Sequence, residues 1–127
     1  MPSTKPRASA KPAEAAVLTK AVLRAAERLG MTNKVLAKVI GLSEATVSRM
    51  RGGDFSLQRG QKPFELGILF VRLYRSLDAV VGGDEDVAGA WLRNDNTALD
   101  AKPLALIQTV PGLMNVIQYL DARRAVI

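Results

Sequence analysis

Apolar residues recur every three or four positions along most of this 127-residue chain, which is the spacing of one face of an α-helix. Glycine and proline fall between these stretches, and no segment alternates apolar and polar residues for the length of a strand. The pattern predicts an all-α fold. The expected helices cover residues 13–29, 33–40, 43–50, 63–81, 84–92, 103–108 and 113–124.

The segment Asn33 to Met50 has the layout of a helix-turn-helix, in which two short helices are joined by a tight turn. Gly41 falls at the turn, where glycine adopts a left-handed conformation without steric cost. Ser43 follows as the N-cap of the second helix. Ala37 leaves room for that helix to cross the first. The residues expected to share the small core are Leu36, Ile40, Leu42, Val47 and Met50.

The second helix of this motif, Ser43 to Met50, is the candidate recognition helix. Because Val47 and Met50 point inward, the remaining residues face outward, toward a DNA groove: Glu44, Ala45, Thr46, Ser48 and Arg49. We expect Arg49 to contact a base, since its guanidinium can pair with both acceptors of guanine; a phosphate contact is the alternative. Polar groups that suit phosphate contacts are Asn33, Ser43, Thr46 and Ser48.

Three segments are predicted along the chain. Residues 1–12 are rich in Pro, Ser, Lys and Arg and have no helical period, so we expect a disordered basic tail. Residues 13–62 form the helix-turn-helix domain, which ends in a glycine-containing basic loop. Residues 63–127 form a second helical domain. The long helix at 63–81 has a broad apolar face, which either belongs entirely to the intramolecular core or contributes to a dimer.

Composition excludes several classes of protein. No apolar run approaches the ~20 residues that cross a bilayer, and residues 1–12 lack the apolar centre of a secretory signal. The chain has neither Cys nor His, which removes disulfides, the common zinc sites and His-based catalytic triads. We therefore expect a cytoplasmic protein without enzymatic activity, with no catalytic residue, no metal and no cofactor.

Positive charge is concentrated in the first half of the chain. Residues 1–62 carry twelve Lys and Arg against four Asp and Glu, whereas residues 63–127 carry six against eight. The half with the helix-turn-helix therefore has a net charge of +8, and the other half has −2. This distribution suits a surface that binds phosphates. The alternative is that the basic residues lie on a surface that faces only water.

The second half resembles the Xre/MbcA/ParS-type antitoxins. The residues that carry the resemblance are Ala90-Trp91-Leu92, Asn96, Leu99, Lys102 to Ile107, Gly112 and Val116 to Leu120. With the helix-turn-helix ahead of them, the resemblance spans roughly Ala16 to Arg124. It implies an N-terminal DNA-binding half and a C-terminal toxin-binding half. It also implies a RES-domain toxin that consumes NAD⁺ as the partner, and operator DNA upstream of the shared operon, which the antitoxin represses.

Two features are candidates for toxin contact. Trp91 is either an interface anchor, since Trp is enriched at binding hot spots, or a core residue packed on the long helix. At the C-terminal end, the resemblance implies that Arg123 and Arg124 enter the toxin's NAD⁺ cleft while Ala125, Val126 and Ile127 pack on its rim. The alternative is that the two arginines only complement the helix dipole.

The leading interpretation is an antitoxin that forms a homodimer and a hetero-oligomer with its toxin. The alternative is a stand-alone helix-turn-helix repressor with a C-terminal dimerisation domain. An enzyme has little support, because the carboxylates occur singly or in one acidic run at Asp84 to Asp86. An adaptor that does not bind DNA is a further possibility, which a salt-dependent DNA-binding assay distinguishes.

Overall fold

The structure, a computed structural model, describes residues 5–126, with side chains from Ala13 onward. It confirms the all-α prediction. The helices are α1 (Lys5–Arg28), α2 (Asn33–Ile40), α3 (Glu44–Arg51), α4 (Lys62–Val80), α5 (Glu85–Arg93), α6 (Pro103–Leu106) and α7 (Val110–Val126). In the described range, no helix has the length and apolarity needed to cross a membrane.

The first helix is longer than its pattern predicts. It begins at Lys5 instead of residue 13, so residues 5–12 of the expected disordered tail are helical, and residues 1–4 lie outside the described range. Ala, Lys and Arg of this segment favour helix and Pro6 suits its first turn, whereas Pro12 is unfavourable in a helix interior, so propensity accounts for only part of the extension. At its other end the helix closes at Gly30, as predicted, with a φ of 65°.

Local capping explains the helix-turn-helix. Thr32 caps α2 by accepting a hydrogen bond from the Val35 amide, and Ser43 caps α3 by accepting one from the Thr46 amide. Between them Gly41 has a φ of 75°, and its amide donates to the Ala37 carbonyl. These are the turn and the cap that the sequence predicts. Of the five residues expected in the core, four are buried, and Leu42 is half-buried.

Helix α4 is the centre of the molecule, because it packs against α1, α2, α5 and α7. Its buried side chains include Phe70, Leu73 and Leu77, which belong to one continuous apolar core shared by both halves of the chain. Most of the predicted apolar face of this helix is therefore intramolecular. The division of the chain at residue 62 stays a prediction.

The corner between α6 and α7 differs from the sequence expectation. Helix α7 begins at Val110, so Pro111 and Gly112 lie in its first turn and do not interrupt the chain before it. Thr109 accepts a hydrogen bond from the Gly112 amide at 3.2 Å, and Pro111 fits a position whose amide needs no partner. A Cβ atom at Gly112 would lie 1.9 Å from the Leu106 carbonyl oxygen, so α6 and α7 approach closely only because this residue is glycine.

Helix α5 joins the two halves through one arginine. Asp84 caps the start of this helix by accepting hydrogen bonds from the Asp86 and Val87 amides. At its end, Arg93 donates to the carbonyls of Leu29 and Gly30, at 3.0 and 2.8 Å. Arg93 thus satisfies free carbonyls at the C-terminus of α1 and fixes α5 against the first half of the chain.

Candidate functional site

Helix α3 has one buried face and one exposed face. Val47 and Met50 are buried, as predicted. The outward-facing residues of the sequence prediction are exposed or, in the case of Thr46, half-buried: Glu44, Ala45, Thr46, Ser48 and Arg49. The helix thus presents a polar face to solvent, with Arg49 and Arg51 in its last turn, and such a face is what a recognition helix turns toward a DNA groove.

A chain of polar contacts crosses this surface. The hydroxyls of Ser43 and Thr46 lie 2.8 Å apart, and Arg49 donates to the Thr46 hydroxyl at 3.4 Å. On its other side, the Arg49 guanidinium carbon lies 5.7 Å from the centre of the Phe55 ring. The Ser43 hydroxyl is therefore already engaged as the cap of the helix. The predicted phosphate contact of Ser43 needs the hydrogen-bonding capacity that this hydroxyl has left.

Asn33 is also already engaged. Its side-chain oxygen accepts a hydrogen bond from Nε of Arg51, which connects the start of α2 to the end of α3. Both side chains remain accessible, so the pair can still present the other guanidinium nitrogens and the Asn33 amide to a phosphate. Sequence reasoning missed Arg51 and Phe55. The exposed Lys34 and Lys38 of α2 add positive charge beside them.

A second exposed feature lies in the C-terminal half. Trp91 of α5 and Tyr119 of α7 stack with their ring centres 6.2 Å apart and their planes 17° from parallel. Arg123 completes the group: its guanidinium lies 5.8 Å from the Tyr119 ring centre, and it donates to the Tyr119 hydroxyl at 2.9 Å. We call Trp91, Tyr119 and Arg123 the aromatic ledge. Trp91 is half-buried, so one part of its ring packs on the core and another faces solvent.

The two neighbouring arginines of α7 diverge. Successive residues of a helix are about 100° apart, so Arg124 leaves the ledge and points toward α4, where it donates to the Ser76 hydroxyl at 3.4 Å. Ser76 in turn donates to Asp121 at 2.8 Å, and Arg72 also pairs with Asp121. The structure therefore places Arg123 against Tyr119, which stacks on Trp91, and directs Arg124 away from both rings.

The charge of Asp121 is stabilised by this arrangement. Partial burial opposes ionisation of the carboxyl group, but the hydrogen bonds from Ser76 and Arg72 and the charges of Arg72 and Arg124 outweigh it. The pKa of Asp121 consequently lies below its ordinary value. This group of side chains holds the last turns of α7 against α4.

The C-terminal tail is helical further than its sequence predicts. Ala125 and Val126 belong to α7 and are exposed, whereas the sequence analysis ends the helix near Arg124. Ile127 lies outside the described residues. Ala and Arg favour helix, so no residue in this segment stops α7. The exposed part of Val126 adds an apolar group close to the end of the helix that carries Arg123.

Comparison with known proteins identifies the family. Residues 8–72 match the antitoxin Xre-like helix-turn-helix domain, and residues 76–125 match the antitoxin Xre/MbcA/ParS C-terminal toxin-binding domain. The chain belongs to the Xre/MbcA/ParS antitoxins. A separate comparison with curated protein sequences found no match to this antitoxin.

A solved structure supports the same assignment. The antitoxin superposes on a chain of the crystal structure of the M. tuberculosis MbcT-MbcA toxin-antitoxin complex with a TM-score of 0.66 and 27% sequence identity. The match covers 87% of this chain and 96% of the other. The α3 surface lies in the segment that matches the helix-turn-helix domain, and the aromatic ledge lies in the segment that matches the toxin-binding domain.

Proposed function

We propose that this antitoxin neutralises a RES-domain toxin that consumes NAD⁺ and represses the operon of both proteins, as part of a type II toxin–antitoxin system in the cytoplasm. The observation that carries the proposal is the presence of both family domains on one chain, with a toxin–antitoxin complex as structural neighbour. The RES identity of the toxin follows from the family resemblance of residues 90–120.

The DNA contact is assigned to the exposed face of α3. Arg49 contacts a base, and the hydroxyls of Thr46 and Ser48 contact phosphates together with the Asn33–Arg51 pair. The net charge of +8 on residues 1–62 supports this assignment, because nonspecific attraction to DNA grows with the number of phosphates that a protein neutralises.

The toxin contact is assigned to the aromatic ledge and the end of α7. Stacked aromatic rings beside an arginine give a surface that buries apolar area and still offers hydrogen-bond donors, which is typical of binding hot spots. The position of Trp91, partly in the core and partly in solvent, supports both interpretations of this residue. Arg123 and the last residues of α7 then extend the contact toward the NAD⁺ cleft.

Co-expression with the protein encoded by the adjacent gene tests the proposal. Native mass spectrometry of the purified material should show a complex of the two proteins, and the neighbour expressed alone should deplete NAD⁺ and stop growth.

Trp91→Ala should weaken the complex by ~30-fold, the effect of losing a hot-spot residue, whereas Ile68→Ala on an exposed part of α4 serves as the control. Absence of any complex, with operator binding intact, would favour a stand-alone repressor.

A further inference from the structure

Arg49 is exposed, yet its guanidinium is held from two sides. Thr46 accepts a hydrogen bond from one of its nitrogens, and Phe55 places an aromatic ring 5.7 Å from its central carbon. An unrestrained arginine on a helix surface samples many rotamers. Here the guanidinium lies over the face of the Phe55 ring, and one of its nitrogens has a partner on the preceding turn of α3.

Phe55 itself occupies a well-defined position. The chain turns back after α3, with Gly53 at a φ of 88° and the Asp54 amide donating to the Arg49 carbonyl at 2.9 Å. Phe55 is half-buried and packs against the core, and the Arg49 guanidinium lies over its ring. Phe55 and Leu57 are the two large apolar residues of this glycine-containing loop, and Leu57 is the one that is fully buried.

The ring affects the two modes of DNA binding differently. A guanidinium has to be oriented to pair with both acceptors of a guanine, and a fixed orientation lowers the entropy lost on binding. Attraction of the same charge to phosphates depends little on its orientation. A cation–π contact at an exposed site changes an equilibrium constant by roughly two- to fivefold. Its loss should therefore reduce affinity for operator DNA and leave affinity for other DNA unchanged.

We propose that Phe55 is a positioning residue for Arg49, and that its ring sets how strongly the antitoxin distinguishes operator from nonspecific DNA. The inference rests on the proposed DNA-binding function of α3. In this proposal Phe55 acts through the Arg49 guanidinium.

Phe55→Leu and Phe55→Tyr form the matched pair that tests this, since leucine keeps an apolar side chain without the ring and tyrosine keeps the ring. The probes are a duplex enriched from a random library by the wild-type protein, and a scrambled duplex of the same length and composition. Phe55→Leu should lose roughly two- to fivefold in affinity for the enriched duplex and nothing for the scrambled one. Phe55→Tyr should match the wild type on both.

The same comparison in an Arg49→Ala background isolates the coupling. If Phe55 acts through Arg49, Phe55→Leu should have no further effect once Arg49 is absent. An equal loss on both duplexes, or a loss that persists without Arg49, overturns the proposal. Phe55→Met, a second variant without a ring, replaces Phe55→Leu if that variant does not fold. Should the wild-type protein bind no DNA, the proposed function fails together with this inference; should it bind and Phe55→Leu keep full discrimination, only this inference fails.

Discussion

Replacing Gly112 with alanine tests the corner that joins α6 to α7. Alanine is favoured over glycine in a helix interior by about 1 kcal/mol, so helix propensity alone predicts stabilisation. The structure predicts the opposite, because the added Cβ would lie 1.9 Å from the Leu106 carbonyl oxygen and 2.7 Å from its carbon. Both atoms belong to the backbone, so no change of rotamer relieves the overlap, and the two helices have to separate.

The expected loss can be worked from these contacts. Overpacking costs ~1–3 kcal/mol, and a clash against backbone belongs at the upper end of that range. After subtraction of the gain in helix propensity, Gly112→Ala should lower the free energy of unfolding by ~2 kcal/mol. For a chain of this length that corresponds to a decrease in Tm of ~8 °C.

Thermal denaturation followed by far-ultraviolet circular dichroism measures this effect. Gly52→Ala is the control, because Gly52 has an ordinary φ of −78° and the nearest atom to its added Cβ lies 3.6 Å away. That variant should be unchanged or more stable by ~0.4–1 kcal/mol, since alanine restricts the unfolded chain. A Gly112→Ala protein that melts at or above the wild-type temperature would refute the argument.

The remaining predictions concern the interfaces and the pH dependence. Arg49→Ala should weaken operator binding by ~1–3 kcal/mol more than binding to scrambled DNA, and an equal loss on both would leave Arg49 only a phosphate contact. Deletion of 123–127 should abolish neutralisation when the toxin is co-expressed; normal growth with undiminished NAD⁺ would instead assign neutralisation to residues 84–120. On operator DNA the antitoxin should sediment as a dimer with strongly salt-dependent affinity, and a monomer at micromolar concentration, free and bound, would contradict this. Because the pKa of Asp121 is lowered in the folded state, its contribution to stability is present above the ordinary pKa of an aspartate and is lost as the pH falls through the folded value. When the free energy of unfolding is measured at decreasing pH, Asp121→Asn should therefore lose less of it than the wild type.

Sequence patterns predict those parts of the fold that depend on neighbouring residues. The helix-turn-helix follows from Gly41 and Ser43, whose effects on the backbone are local. The same local signals mislead at Pro111 and Gly112, since proline and glycine are compatible with the first turn of a helix as well as with a break. The Thr109 hydroxyl caps that turn, and the spacing of apolar residues, from which the helices are predicted, does not reveal such a cap.

The candidate sites depend on tertiary packing and could be predicted only in part. The outward face of α3 follows from helical periodicity. In contrast, Trp91 meets Tyr119 across two helices that are distant in sequence, and the ring under Arg49 is placed by a loop with no helical period. The separation of Arg123 from Arg124 likewise requires knowledge of what α7 packs against.

The central position of α4 has a consequence for the genetics of this antitoxin. Phe70 and Leu77 of this helix lie in a core to which both halves contribute, so the two halves are expected to unfold in a single cooperative transition. Under the proposed function, an allele that damages the core under the toxin-binding half should therefore also derepress the operon, and one that damages the core of the helix-turn-helix should also release the toxin. Alleles that separate the two phenotypes should map to the solvent-facing residues of α3 or to the aromatic ledge, which is in part accessible. Loss-of-function alleles would then group by burial of the altered side chain and not by its position along the gene.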